Sequence, residues 1–263
     1  KDNGSGCCVV KKTLLVGGDS WCNVGQYSQY WEQDKAFPLW YDYIAEKLDM
    51  NVVSLGLGGA GNEYICSTLI DYMNTHGTDH IGMVMASWSE CARGDWETQI
   101  PEPRRAYPYE WHSRKEMIDG QTYGFIKKSL RWFYIFQSIC ENLNVPYKQF
   151  QMIPLYYAHI YEKFYNLKEH SSTTGEPDKS ILKAANFLFE QPEYDLIDKD
   201  HFIGWPVVQE LPGGFHIAKK TVHPYSPDGY TKCHPKYVMD VRKDQHPNEL
   251  GHKLIAEFIY ENL

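Results

Sequence analysis

Thr13-Leu14-Leu15-Val16-Gly17-Gly18-Asp19-Ser20-Trp21 is the stretch on which the reading of this fold turns. A short apolar run that stops at glycine reads as a strand buried on both faces, and such strands belong to parallel sheets covered by helices. The run breaks at Gly17-Gly18 and delivers Asp19 and Ser20 at a strand-to-helix corner. A side chain at such a corner is exposed yet held by rigid backbone.

Working outward, Asn51-Val52-Val53-Ser54-Leu55 reads as a second buried strand, Ile81 to Ala86 as a third and Pro146 to Ile153 as a fourth. Amphipathic helices separate them. The first starts at Phe37 with Pro38 in its first turn and turns Phe37, Trp40, Tyr41, Ile44, Ala45 and Leu48 to one face. The second carries Ile65, Leu69, Tyr72 and Met73. The third runs from Thr122 to Asn144 with Ile126, Leu130, Phe133, Phe136, Ile139 and Leu143 aligned. Shorter helices are expected at Leu155–Tyr165 and Ile181–Phe189, and a final one from Asn248 to Asn262. Strands alternating with helices predict a flavodoxin-like three-layer α/β/α sandwich with a mainly parallel, doubly wound sheet. One domain over residues 10–263 is expected, with excursions at about 92–121 and 166–240 and a flexible segment at 1–9.

Composition narrows the function classes. The net charge of −8 argues against a nucleic-acid partner, which needs a basic surface to displace counterions. No apolar run reaches the length of a membrane-spanning helix. The seven cysteines are scattered without a C-x-x-C pair, so neither a zinc ribbon nor a thioredoxin-like motif is indicated. That usage, with no signal-peptide pattern, predicts a reducing, cytoplasmic setting. The 15% aromatic content is read as packing.

Three loops fall at the carboxyl ends of the strands, where ligands collect in doubly wound sheets. They are the Ser20 corner, Gly56-Leu57-Gly58-Gly59-Ala60-Gly61 and Ser87-Trp88-Ser89-Glu90. A serine that attacks an acyl carbon needs a base oriented by a carboxylate, and N–H donors for the oxyanion. Asp244-Gln245-His246-Pro247-Asn248, at the far end of the chain, offers His246 as base and Asp244 as its orienting acid. The G-x-S-x-G elbow is absent because position 22 is Cys. His223-Pro224 and Cys233-His234-Pro235 lack metal-ligand spacing, and no metal or cofactor is expected. Gly56-x-Gly58-x-x-Gly61 formally fits a dinucleotide fingerprint. The acidic residue this motif needs at the end of the next strand is missing, since Asp79 precedes that strand.

Three blocks resemble those of the SGNH (GDSL-type) hydrolases: Gly18-Asp19-Ser20, Ser54-Leu55-Gly56-Leu57-Gly58-Gly59, and Asp244-x-His246-Pro247-Asn248-x-x-Gly251-His252. The resemblance implies a flavodoxin-like sandwich and a serine esterase acting on a small acyl ester, such as a glycan O-acetyl group, through an acyl-serine intermediate. It implies Ser20 as nucleophile, Asp244 and His246 as acid and base, and the Ser20 and Gly59 amides as oxyanion donors. Two positions depart from the pattern. The acid commonly lies three residues before the histidine, where this chain has Lys243. The third block, usually G-x-N-D, is replaced by Ser87-Trp88-Ser89-Glu90, which leaves Ser89 or Asn62 as stand-ins for its asparagine donor. Trp21, Trp88 and Arg93 are the candidate substrate contacts; an ion pair with Glu90 or Asp95 is the alternative for Arg93. The W-S-x-x-x-R pattern and Phe202-Ile203-Gly204-Trp205-Pro206 resemble SGNH-like proteins of marine bacteriophages. The alternatives are a non-catalytic structural or glycan-binding protein, for example of a virion, and a nucleotide-binding protein.

Overall fold

The computed structural model describes residues 10–23, 37–91, 93–96, 104–106, 122–152, 187–205, 238–240 and 244–263. Residues 96, 104–106, 122, 238–240, 244 and 245 are described by their backbone alone. In chain order the strands are β1 (Thr13–Gly17), β2 (Asn51–Ser54), β3 (Ile81–Trp88), β4 (Gly94–Trp96), β5 (Arg104–Ala106), β6 (Tyr147–Gln151), β7 (Phe202–Ile203), β8 (Val238–Asp240) and β9 (Asp244–Pro247). The helices are α1 (Trp40–Leu48), α2 (Asn62–His76), α3 (Thr122–Asn142), α4 (Pro192–Leu196) and α5 (Glu249–Glu261).

Every residue of β1 is buried, as its apolar run requires. It lies inside a sheet of order β2-β1-β3-β6-β7 whose pairings are all parallel. Alternation along β1 feeds two separate cores. Leu15 joins α2 and α3 on one face through Ile65, Leu69, Ile126, Leu130, Phe133 and Phe136. Leu14 and Val16 join α1 and α5 on the other through Trp40, Tyr41, Ile44, Ile255 and Ile259. The architecture is a flavodoxin-like α/β/α sandwich, and the strand order carries the reversal beside β1 where such folds place their ligands.

Several boundaries differ from the sequence reading. Helix α1 starts at Trp40, with Leu39 at its N-cap and Pro38 outside it, because His252 and Asp42 accept the free N–H groups of Trp40 and Leu39. Asn248 caps α5 instead of opening it: its side chain accepts from Gly251 N at 2.9 Å. Helix α3 ends at Asn142, and Asn144 takes a left-handed φ of 53°. Strand β7 was not anticipated, nor were the short antiparallel pairs β4–β5 and β8–β9. The helix expected at 155–165 lies outside the described residues, and only 187–189 of the 181–189 helix lie within them, in helical conformation. Among the described residues no helix is long and apolar enough to cross a membrane.

Candidate active site

At the carboxyl end of β1 the chain turns into a one-turn 3-10 helix, Ser20–Cys22. Asp19, fully buried, caps it by accepting the Trp21 N–H at 3.0 Å. Capping is therefore the work of Asp19, which leaves the hydroxyl of Ser20 to point elsewhere. The turn is anchored at its far side, where Cys22 O accepts from Ser54 Oγ at 2.5 Å and Tyr41 Oη at 3.3 Å. The backbones pass so closely here that a Cβ on Gly56 would lie 2.2 Å from Cys22 O. The Cys22 thiol, two residues from Ser20, is pushed far above the ordinary range by burial and then by the charge of Asp19. It stays protonated and is no rival nucleophile.

Ser20 Oγ lies 2.8 Å from His246 Nε2, a hydrogen bond between residues 226 positions apart. The His246 backbone belongs to β9, directly before the Asn248 cap of α5. The rigid start of a core helix thus sets the histidine against the Ser20 turn. The Trp21 ring stands 6.5 Å from the imidazole, centroid to centroid, and is only 8% exposed. Asp244 lies in the same strand two residues before His246; its side chain lies outside the described residues. His252 is buried, and its Nδ1 accepts the Trp40 N–H at 3.3 Å. Burial, and then the charge of His246, pushes its pKa down to about 3, so the second histidine of the block is a neutral structural acceptor.

The loop after β2 runs alongside the Ser20 turn: Leu57 N donates to Gly18 O at 3.1 Å, and Ala60 N closes a turn onto Leu57 O at 3.0 Å. Gly59 sits within that turn at φ 75°, in the left-handed region glycine tolerates best. The loop ends at α2, where two N–H groups of the first turn and its cap are already taken up. Asp95 accepts from Gly61 N and Tyr64 N, both at 2.9 Å. A dinucleotide would place its pyrophosphate on such donors. Here a carboxylate of the chain itself occupies them.

Several expected contacts take other roles. Asn62 is buried; its Nδ2 donates to Ser89 O at 3.2 Å and Ser129 Oγ at 3.0 Å, and its Oδ1 accepts Ser89 N at 2.8 Å. With both amide hydrogens taken up, Asn62 is arranged as a clamp on the Ser89 backbone and not as an oxyanion donor. Gln151 Nε2 adds a second bond to Ser89 O at 2.6 Å. The Ser89 hydroxyl faces Asp19 Oδ2 at 3.4 Å and is fully buried, which removes it too from the donor role. Trp88 is no substrate contact: its ring packs on Phe133 and Phe136 in the core, and its Nε1 donates to Gln149 Oε1 at 3.0 Å.

Arg93 holds its guanidinium among protein acceptors: Asp19 Oδ2 at 2.9 Å, Glu90 Oε1 at 3.1 Å and Ala60 O at 3.3 Å. Its side chain is 10% exposed, so it is arranged as an ion-pair partner of the protein's own carboxylates and not as a substrate contact. Sequence reading anticipated the Glu90 pair but missed Asp19, whose sequence separation of 74 offers no local signal. Gln151 and Ser129 were missed for the same reason.

No protein-family model matches the chain, and no curated protein does. Its structure is similar to that of the lipase Lip_vut3 from a goat rumen metagenome, with a TM-score of 0.50 and 9% identity over 96% of this chain and 97% of that one. It is also similar to a protein assigned to the lipolytic G-D-S-L family from Desulfitobacterium hafniense DCB-2, with a TM-score of 0.48 and 10% identity over 96% and 100%. A third likeness is to Axe2, an acetylxylan esterase from Geobacillus stearothermophilus, with a TM-score of 0.45 and 11% identity over 96% and 95%. At these identities the likeness is one of fold: an α/β/α sandwich with a parallel sheet.

Proposed function

We propose that this chain hydrolyses a small carboxylic ester, such as an O-acetyl group on a glycan, with Ser20 as nucleophile. The observation that carries the reading is the 2.8 Å hydrogen bond between Ser20 Oγ and His246 Nε2. In the reaction Ser20 Oγ bonds to the acyl carbon while its proton passes to His246, and the carbonyl oxygen takes up the negative charge. His246 then returns the proton to the departing alcohol. A water adds to the acyl-Ser20 carbon, again losing its proton to His246, and releases the acid and the free serine. Asp244 is assigned the orienting role, on its position two residues before the base.

The amides of Ser20 and Gly59 are assigned to the oxyanion. With Asn62 and the Ser89 hydroxyl directed into the protein, the third donor of the SGNH pattern has no counterpart in either residue. Losing one such donor typically lowers the rate about 10²–10³-fold, so a slow enzyme is expected. The same observation favours a second reading, a non-catalytic binding or virion protein on a hydrolase frame. Fluorophosphonate labelling separates the two: covalent modification of wild type and none of Ser20→Ala supports the enzyme. Equal p-nitrophenyl acetate turnover by both proteins would sink it.

A further inference from the structure

We propose that Arg93 is a positioning residue for the nucleophile and the oxyanion loop together, an inference that rests on the hydrolase reading. Its guanidinium joins the loops after β1, β2 and β3. Toward the first it bonds Asp19 Oδ2 at 2.9 Å, while Asp19 Oδ1 holds the Trp21 N–H of the turn that presents Ser20. Toward the second it bonds Ala60 O at 3.3 Å, and Ala60 follows Gly59, whose amide is assigned to the oxyanion. Toward the third its Nε bonds Glu90 Oε1 at 3.1 Å.

The chemistry suits a guanidinium and no other side chain. Asp19 is fully buried and Glu90 is 4% exposed, so two carboxylates share a small space with little water. A planar cation with several fixed N–H directions bridges two carboxylates and a carbonyl at once, whereas an ammonium is a point charge on a flexible stem. Asp19 receives Arg93 and Ser89 on one oxygen and the Trp21 amide on the other. Displacing it would rotate the turn that aims Ser20 at His246. Preorganised donors act only when held at their productive distance, and a misplacement of about 1 Å lowers rates about 10²-fold. By these bonds the arginine acts through Asp19 and Ala60.

The test compares Arg93→Ala and Arg93→Lys with wild type, reading kcat and KM for p-nitrophenyl acetate and the fluorophosphonate labelling rate of Ser20. It also reads the NMR shift of His246 Nε2, with Ser20→Ala as the reference for a lost hydrogen bond. Arg93→Ala should lose about 10²-fold in kcat and labelling rate with little change in KM, and methylguanidinium should restore part of that loss. Arg93→Lys should fall between, and the His246 signal of both variants should move toward the Ser20→Ala value. A folded variant with kcat and labelling within about twofold of wild type, or a loss confined to KM, overturns the proposal. If Arg93→Ala does not fold, Arg93→Lys decides by the same criteria. If wild type neither hydrolyses nor labels, the hydrolase reading fails by itself. The His246 shift then decides alone, and a shift unchanged in Arg93→Lys overturns the positioning role.

Discussion

Two histidines sit at hydrogen-bond length from an oxygen at opposite ends of the same sheet. At the amino end of β7, His201 Nδ1 lies 2.9 Å from Asp198 Oδ2, three residues away, and stacks on Tyr147. Both partners are well exposed, at 42% and 36%. At the carboxyl end, His246 meets a serine 226 positions away, beside a buried Asp19 and a half-buried arginine. The distances are nearly equal, but the cost of making them is not. A pair three residues apart forms from local chain geometry and is screened by water. The long-range pair exists only because β1, β9 and α5 hold their places in one packed structure. Hydrogen-bond length alone does not mark a site; the structure needed to achieve it does.

Mutation should separate the two ends sharply. Ser20→Ala and His246→Ala are each expected to lower p-nitrophenyl acetate turnover about 10³-fold or more, since members of a catalytic unit fail together. Asn62→Ala should come next. It leaves Ser89 N without its acceptor in the interior, and a loss of about 1–3 kcal/mol is expected in urea unfolding.

The third prediction uses pH. His252 has a folded-state pKa pushed down from 6.5 to about 3 by burial and then by the charge of His246. Between those values the unfolded chain binds the proton and the folded one does not. Stability from keeping this group neutral is therefore present above pH 6.5 and declines as pH falls toward 3, by up to about 1.4 kcal/mol per unit. Unfolding free energies across that range should show a shallower acid slope in His252→Gln. An equal slope would remove His252 as the cause. Gly59→Ala places a side chain at φ 75°, and a stability loss of about 1–2 kcal/mol is expected, with kcat falling as the loop shifts. The smallest effect belongs to the amino end. His201→Ala should change stability by no more than about 1 kcal/mol and leave turnover unaltered; a large activity loss there would break the contrast between the two ends.

β1, β2, β3 and β6 were legible as short runs set among amphipathic helices, but the expectation that β2 is buried was not met: at the edge of the sheet its residues are exposed or half-buried. β7 was not legible, because two residues in a Gly/Pro-rich tract carry no periodicity; only its pairing with Gln149 and Phe150 makes Phe202–Ile203 a strand. Ser20 and His246 were legible as chemistry because their residue types and neighbours form recognisable blocks. The roles of Asn62, Ser89 and Trp88 were not, nor was the bond from Arg93 to Asp19. An amide or a guanidinium near a site can face substrate or protein, and which it faces depends on acceptors delivered by distant segments. Gln151 and Asp19 are such acceptors or donors.

The amino-acid sequence by itself determined the layers of this protein and the identity of its candidate reactive groups. Hydrophobic periodicity acts over a few residues, and the chemistry of a hydroxyl or an imidazole belongs to the residue. The tertiary structure decided which polar groups face one another. It set Ser20 against His246, turned Asn62 inward, kept His252 neutral and placed Arg93 between Asp19, Glu90 and Ala60. The reason is physical: desolvated polar groups must find partners, and packing, not sequence neighbourhood, decides which are within reach.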